Sequence, residues 1–167
     1  MTDSTPATAP EPKRDTAGVI APPPLIYLGF LAIGLVLEFF VVRTQGLDMP
    51  ASLRWTVVAI LALLGIAAIA AAVLRFRRAG TPAPPSRPAT AFVAQGIYRF
   101  TRNPMYLGMT LIYCAAAVAA DAPVVFWVFI PLAMTIHYGV ILREERYMAR
   151  KFGAAYIDYT NTVPRWL

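Results

Sequence analysis

The chain has 167 residues, 58% of them hydrophobic and 14% charged, with a mean hydropathy of +0.57. That is too apolar for an ordinary soluble domain and points to lipid as its main solvent. The formal charge of +6 comes from Lys and Arg set beside apolar segments, which fits an anionic membrane face and argues against nucleic acid as a partner. The single cysteine, Cys114, lies in the apolar run LIYCAAAV, where it supports neither a disulfide framework nor a thiolate metal site.

Residues 1–21 are rich in Pro, Thr and Ala with few large apolar groups, and are predicted to be a disordered cytoplasmic tail. Lys13 and Arg14 follow a polar stretch and precede a long apolar run, so that run reads as a retained span and not as a secretory signal. The rest, 22–167, reads as one membrane-embedded domain, all-α and polytopic, because its apolar segments lie too close together to fold separately. A first span is expected over about 25–42, opened by Pro22, Pro23 and Pro24, and a second over 55–74, whose roughly 20 residues match a hydrocarbon thickness of about 30 Å. Pro82, Pro84, Pro85 and Pro88 and several arginines make the next stretch a cytoplasmic connector. A third span over 104–120 and a fourth over 123–142, joined at Asp121 and Ala122, should form a tight antiparallel hairpin. From Arg143 a charged amphipathic helix is expected to about residue 160, with Gly153 as a point of interruption.

Thirteen of the fifteen basic residues fall in the tail, the connector and the C-terminal segment; only Arg43 and Arg54 fall on the other side. The positive-inside rule then puts both termini in the cytoplasm.

Glu144 and Glu145 have no basic residue three or four positions away, where a helical ion pair would form, so their partners must come from elsewhere. Glu145 shares a face with Ile141, Leu142, Met148 and Phe152 and is costly there unless paired; Arg99 and Arg102 are the nearest candidates. The alternative is a solvated acidic patch favoured by the dipole of a helix starting near Arg143, a benefit that a helix continuous with the fourth span would remove.

In GIYRFTRNPMYLGM, Asn103 suits an N-cap and Pro104 a first helical position. Arg102, Tyr106, Met109 and Tyr113 share a helical face able to cradle a charged, partly aromatic ligand, although interfacial anchoring also accounts for tyrosines. His137, near the end of the fourth span, reads either as a ligand contact and proton acceptor or as a bundle hydrogen-bonding residue. Glu38 is an intramembrane carboxylate near the opposite end, far from this chemistry. Gly-x-Gly-x-x-Gly, phosphate-loop, His-Glu-x-x-His and Gly-x-Ser-x-Gly signatures are absent, as is any βαβ pattern.

The run Gly96-Ile-Tyr-Arg-Phe-Thr-Arg-Asn-Pro-Met-Tyr-Leu-Gly108, followed by Glu144-Glu145-x6-Phe152-Gly153-x2-Tyr156-x2-Tyr159 and the ending Val163-Pro164-Arg165, resembles the isoprenylcysteine carboxyl methyltransferase and phospholipid methyltransferase family. The resemblance covers about the C-terminal half. It implies an integral membrane enzyme that binds S-adenosylmethionine in a cytoplasm-facing pocket and methylates a lipophilic acceptor: an isoprenylcysteine-like carboxylate, a lipid amine or another membrane small molecule. By motif position, Tyr98, Arg102, Asn103, Pro104, Tyr106, Leu107 and Gly108 would line the cofactor pocket, with Glu144 and Glu145 closing it and His137 nearby. Many relatives carry His where this chain has Asn103.

Within that resemblance, Arg102 would pair the cofactor carboxylate, Glu144 or Glu145 its ammonium, and Tyr98 or Tyr106 the sulfonium. A carboxylate acceptor needs no base, whereas an amine or hydroxyl would use His137 or Glu145. The acceptor is expected to enter from the bilayer, where connector and third span meet. The competing readings are an NADPH-dependent membrane reductase related to sterol reductases, which normally has more spans, and a non-enzymatic membrane scaffold.

Overall fold

The structure is a computed structural model that describes residues 15–85 and 87–167; residues 1–14 of the expected tail lie outside it. The described residues are helical and irregular, in keeping with the all-α expectation. Helix α1 (Pro23–Val36) starts at the proline run and passes into a π-helical stretch, Leu37–Val42. Helix α2 (Ala51–Arg78) is longer than its apolar stretch, because it starts directly after Pro50 and runs on into Arg75, Arg77 and Arg78, cations that suit a helix C-terminus. Its 28 residues span about 42 Å at 1.5 Å per residue, so its ends project beyond the hydrocarbon. Helices α3 (Pro104–Ala119) and α4 (Pro123–Ile136) follow. A π-helical turn, His137–Ile141, carries α4 without a break into α5 (Leu142–Phe152); Gly153, at φ 55°, separates α5 from α6 (Ala154–Thr162).

Three of these helices are long and apolar enough to cross a membrane: Pro23–Val42, Ala51–Arg78 and Pro123–Phe152, at mean hydropathies of 2.5, 3.0 and 2.0. Against the four spans expected, α3 is apolar but has only 16 residues. Leu132, Ile136, Ile141, Val125 and Val140 form the fully buried core, with Tyr27, Tyr106 and Tyr113 packed on it. The lipid-facing surface carries Leu63, Ile66, Phe40 and Trp127 in the open, the inverse of a soluble bundle.

The expected α3–α4 hairpin needs correction. The turn is short, but α3 packs chiefly on α2 and α4 chiefly on α1. Glycines explain the choice: a Cβ on Gly65 would lie 2.7 Å from the Gly108 carbonyl oxygen, a Cβ on Gly108 2.7 Å from that of Gly65, and Gly34 sits against Val125. The helix backbones touch where side chains are missing.

Glu38 also acquires a role. It is 3% exposed and accepts hydrogen bonds from the Thr44 amide at 3.0 Å, the Thr44 hydroxyl, and the Val124 amide at 2.9 Å, so it caps the start of α4. Beside it Asp121 accepts from the Leu47 amide at 2.8 Å and pairs with Arg54 at 2.9 Å. This end of the bundle is thereby tied shut.

Candidate active site

The opposite end, where α2 stops and α3 begins, gathers the residues with chemistry. Residues 101–103 and the C-terminal segment are bound together by backbone and side chain. The Arg102 amide donates to the Pro164 carbonyl at 3.0 Å, and the Thr101 hydroxyl and Asn103 Nδ2 both donate to the Arg165 carbonyl, at 3.0 and 3.1 Å. Pro104 does occupy the first turn of α3, but the Asn103 side chain does not cap it. Its amide is committed to the C-terminal segment instead, and Arg165 is thereby held over α5.

That placement resolves the glutamates. Because α5 continues α4, no helix dipole begins at Arg143 to favour them. Glu145 takes a two-pronged hydrogen bond from Arg165, Nε to Oε1 at 2.9 Å and Nη2 to Oε2 at 2.7 Å, and Arg102 Nη1 stands 3.2 Å from Oε1. The expected Arg102 partner is there; Arg99 is not, and faces away beside Arg75. Arg165 was legible only as part of the family-like ending. Glu144 behaves differently: the Tyr106 hydroxyl donates to its Oε1 at 2.7 Å, and among the described residues it is in no ion pair.

These groups border a cavity of about 660 Å³ lined by Tyr98, Arg102, Asn103, Pro104, Tyr106, Glu144 and Glu145, with Phe76, Phe92, Met109, Tyr156 and Tyr159 supplying apolar and aromatic wall. Phe76 meets Tyr98 edge-on at 5.5 Å, and Phe92 meets Tyr159 at 5.3 Å. The Tyr159 hydroxyl donates to the Tyr98 carbonyl at 2.7 Å, fixing α6 against the Gly96–Arg99 turn. Burial, with the Glu145 carboxylate next in effect, pushes the Tyr156 phenol up to about 12; burial likewise drives Tyr98 and Tyr159 well above the ordinary phenol range. All three stay neutral at physiological pH. Arg102 Nε is buried without a protein acceptor.

Four sequence candidates lie elsewhere. Leu107 and Gly108 do not line the cavity; Gly108 serves the α2–α3 contact. His137 is also outside the lining, its ring edge-on to Tyr138 at 4.8 Å. Tyr113, placed on the ligand face by helical spacing, donates to the Val125 carbonyl at 2.9 Å inside the core. Phe76, Tyr156 and Tyr159 enter the wall from segments that spacing alone did not connect.

Residues 15–21, expected in the tail, contribute a further wall. Ile20 donates its amide to the Gly139 carbonyl at 3.3 Å, Arg143 Nη1 donates to the Gly18 carbonyl at 2.9 Å, and Lys151 pairs with Asp15 at 2.5 Å. Ala17, Val19 and Ile20 thereby face the cavity.

An all-helical bundle with membrane-length helices and a largely apolar, aromatic-walled cavity bordered by a few charged groups at one end defines the class: a membrane protein with a ligand-sized site at one end. The family model described as phospholipid methyltransferase matches residues 53–155, and the chain belongs to that family. No curated protein and no solved structure matches it.

Proposed function

We propose that the cavity binds S-adenosylmethionine and that the protein transfers its methyl group to a lipophilic acceptor drawn from the bilayer. The observation that carries this reading is the unequal pair of carboxylates. Glu145 is taken up by two arginines, whereas Glu144, one residue away, is in no ion pair among the described residues. A partly buried carboxylate of that kind calls for a cation from a ligand.

The residues present fit the cofactor. Glu144 would hold its ammonium, and Arg102, whose Nε has no protein acceptor, its carboxylate. Tyr98 and Tyr106, on the cavity wall, would face the sulfonium with neutral rings. When bound, the cofactor supplies an electrophilic methyl group for in-line displacement. The chain's own share is then alignment and exclusion of water: Glu145 holds Arg102 in place, and the aromatic wall keeps the site dry. His137, outside the lining, is not assigned a proton-transfer role. The two termini and the basic end are assigned to the cytoplasm, on the strength of the Lys and Arg distribution.

Calorimetric titration of S-adenosylmethionine onto the protein in nanodiscs tests this. Saturable binding by wild type, weakened at least tenfold in Glu144→Gln, is the expected result. Absence of binding by folded wild type overturns the reading.

A further inference from the structure

A second hollow, of about 550 Å³, lies on the other side of the Gly96–Arg99 turn and is lined by Arg75, Ala94, Gln95, Gly96, Arg99 and Phe100. Tyr98, in the middle of the turn, points into the cofactor cavity, while Gly96 and Arg99 face Arg75. The hollow therefore has its own lining and shares no residue with the cavity.

Its chemistry is one-sided. Two guanidiniums line it, no carboxylate does, and among the described residues neither Arg75 nor Arg99 is in an ion pair or a side-chain hydrogen bond. Arg75 is also pre-positioned. Gly96 adopts φ +66°, and a Cβ there would fall 2.3 Å from Arg75 Nε, so the guanidinium lies directly over the turn's backbone and only glycine permits it. Beside this pair Phe100, which lines the hollow, stands in the open at 68% exposure, near where the apolar length of α2 gives way to its arginines.

Guanidinium forks match phosphate oxygens, and exposed apolar groups next to them match acyl chains. We propose that Arg75, Arg99 and the Gly96 turn form a binding site for the phosphodiester headgroup of an anionic membrane phospholipid, distinct from the cavity assigned to methyl transfer. The missing carboxylate selects against a zwitterionic headgroup, whose ammonium would find no acceptor. The exposed Phe100 in its lining selects a lipid over a soluble phosphate.

The test is native mass spectrometry of the full chain released from detergent, titrated separately with phosphatidylglycerol, phosphatidylcholine and inorganic phosphate. Phosphatidylglycerol is expected to be retained at least tenfold more tightly than phosphatidylcholine, with inorganic phosphate not retained. The preference should be lost in Arg75→Gln/Arg99→Gln and kept in Arg77→Gln/Arg78→Gln, which removes the same amount of charge from the end of α2 that carries Arg75. Equal loss in both double variants would mean diffuse attraction and overturn the site; tight retention of inorganic phosphate would overturn its assignment to a lipid. Should the first double variant not fold, modification of wild type with an arginine-directed reagent decides. Phosphatidylglycerol should then protect Arg75 and Arg99 but not Arg77 and Arg78, and equal reactivity at all four overturns the proposal.

Discussion

Glu144 and Glu145 are neighbours in sequence with opposite tasks, and the difference is measurable. Removing the charge of Glu145 leaves Arg102 and Arg165 facing one another without their shared partner, each only partly solvated. Glu145→Gln should therefore lower stability by about 2–3 kcal/mol, somewhat less than for a fully buried pair, read as a lower midpoint of thermal unfolding in detergent. Glu144→Gln, which removes a charge with no ion-pair partner among the described residues and keeps an amide oxygen able to accept from Tyr106, should leave the midpoint close to wild type; equal destabilisation would mean that the two carboxylates are not divided as described. Tyr156 gives a pH-dependent counterpart. Its phenol, pushed up to about 12, keeps its proton in the folded state where the unfolded chain, with a pKa near 10, has lost it. The stabilisation is complete below about pH 10 and disappears as pH rises through about 12. Tyr156→Phe should thus gain about 1–2 kcal/mol on wild type across that interval, after discounting for solvent screening; a constant difference between the two would contradict it. Sequence reading reached Arg102, Tyr98, Tyr106 and the glutamates because unpaired charge on an apolar face demands a partner. It could not reach Arg165 as the principal one, since the nineteen intervening residues have to turn back at Gly153 before the contact exists. His137 and Tyr113 were placed by helical spacing alone, which fixes a direction around one helix and says nothing of which neighbour stands there.

At the level of elements, apolar run length and proline position were enough to find every long helix, and the limits of that signal are visible at two places. Hydropathy ended the second span at Leu74, but the arginines beyond it continue the helix, because guanidiniums on long stems sit comfortably in headgroups at a helix C-terminus. Chain order also suggested that α3 and α4 would pair, whereas backbone contact is set by where the glycines are. Gly65 and Gly108 occur in no Gly-x-x-x-Gly pattern, yet each removes the Cβ that would strike the other's carbonyl. A methyl group at 2.7 Å from backbone on both sides cannot be relieved by a rotamer change. Gly65→Ala and Gly108→Ala are each expected to cost about 1–3 kcal/mol, and because both force the same separation of α2 and α3, the double variant should cost less than the sum of the two. Additive effects in a double-mutant cycle would show that the glycines do not meet. Displacing α2 also moves Phe76 and Arg75 away from the Gly96–Arg99 turn, so the same substitutions reach both the cavity and the phospholipid site from a distance.

Across the whole molecule the two ends are built differently. Glu38, Thr44, Asp121 and Arg54 close one end with bonds made within the chain, leaving the buried Arg54 Nε without a protein acceptor among the described residues. At the other end, segments far apart in sequence converge: the stretch leading into α1, the proline-rich connector, α5 and the C-terminal residues. Composition made residues 15–21 look like tail, since a segment with so few large side chains cannot order itself; it is ordered by what it lies on. Its polar attachments are the ion pair of Asp15 with Lys151, the Asp15 carbonyl on the Tyr147 hydroxyl, the Gly18 carbonyl on Arg143, and the Ile20 amide on Gly139, with Val19 and Ala21 packed on the core. Two of the four polar attachments depend on exposed cations outside the core, so the segment should detach without unfolding the bundle. Arg143→Ala combined with Lys151→Ala is expected to speed proteinase K cleavage within residues 15–21 several-fold while the unfolding midpoint stays within a few degrees of wild type. Because Ala17, Val19 and Ile20 wall the cavity, the same variant should also release S-adenosylmethionine faster, raising the dissociation rate more than it lowers the association rate. Faster cleavage with unchanged cofactor release would make the segment a bystander to binding, and unchanged cleavage would mean that the two cations do not hold it.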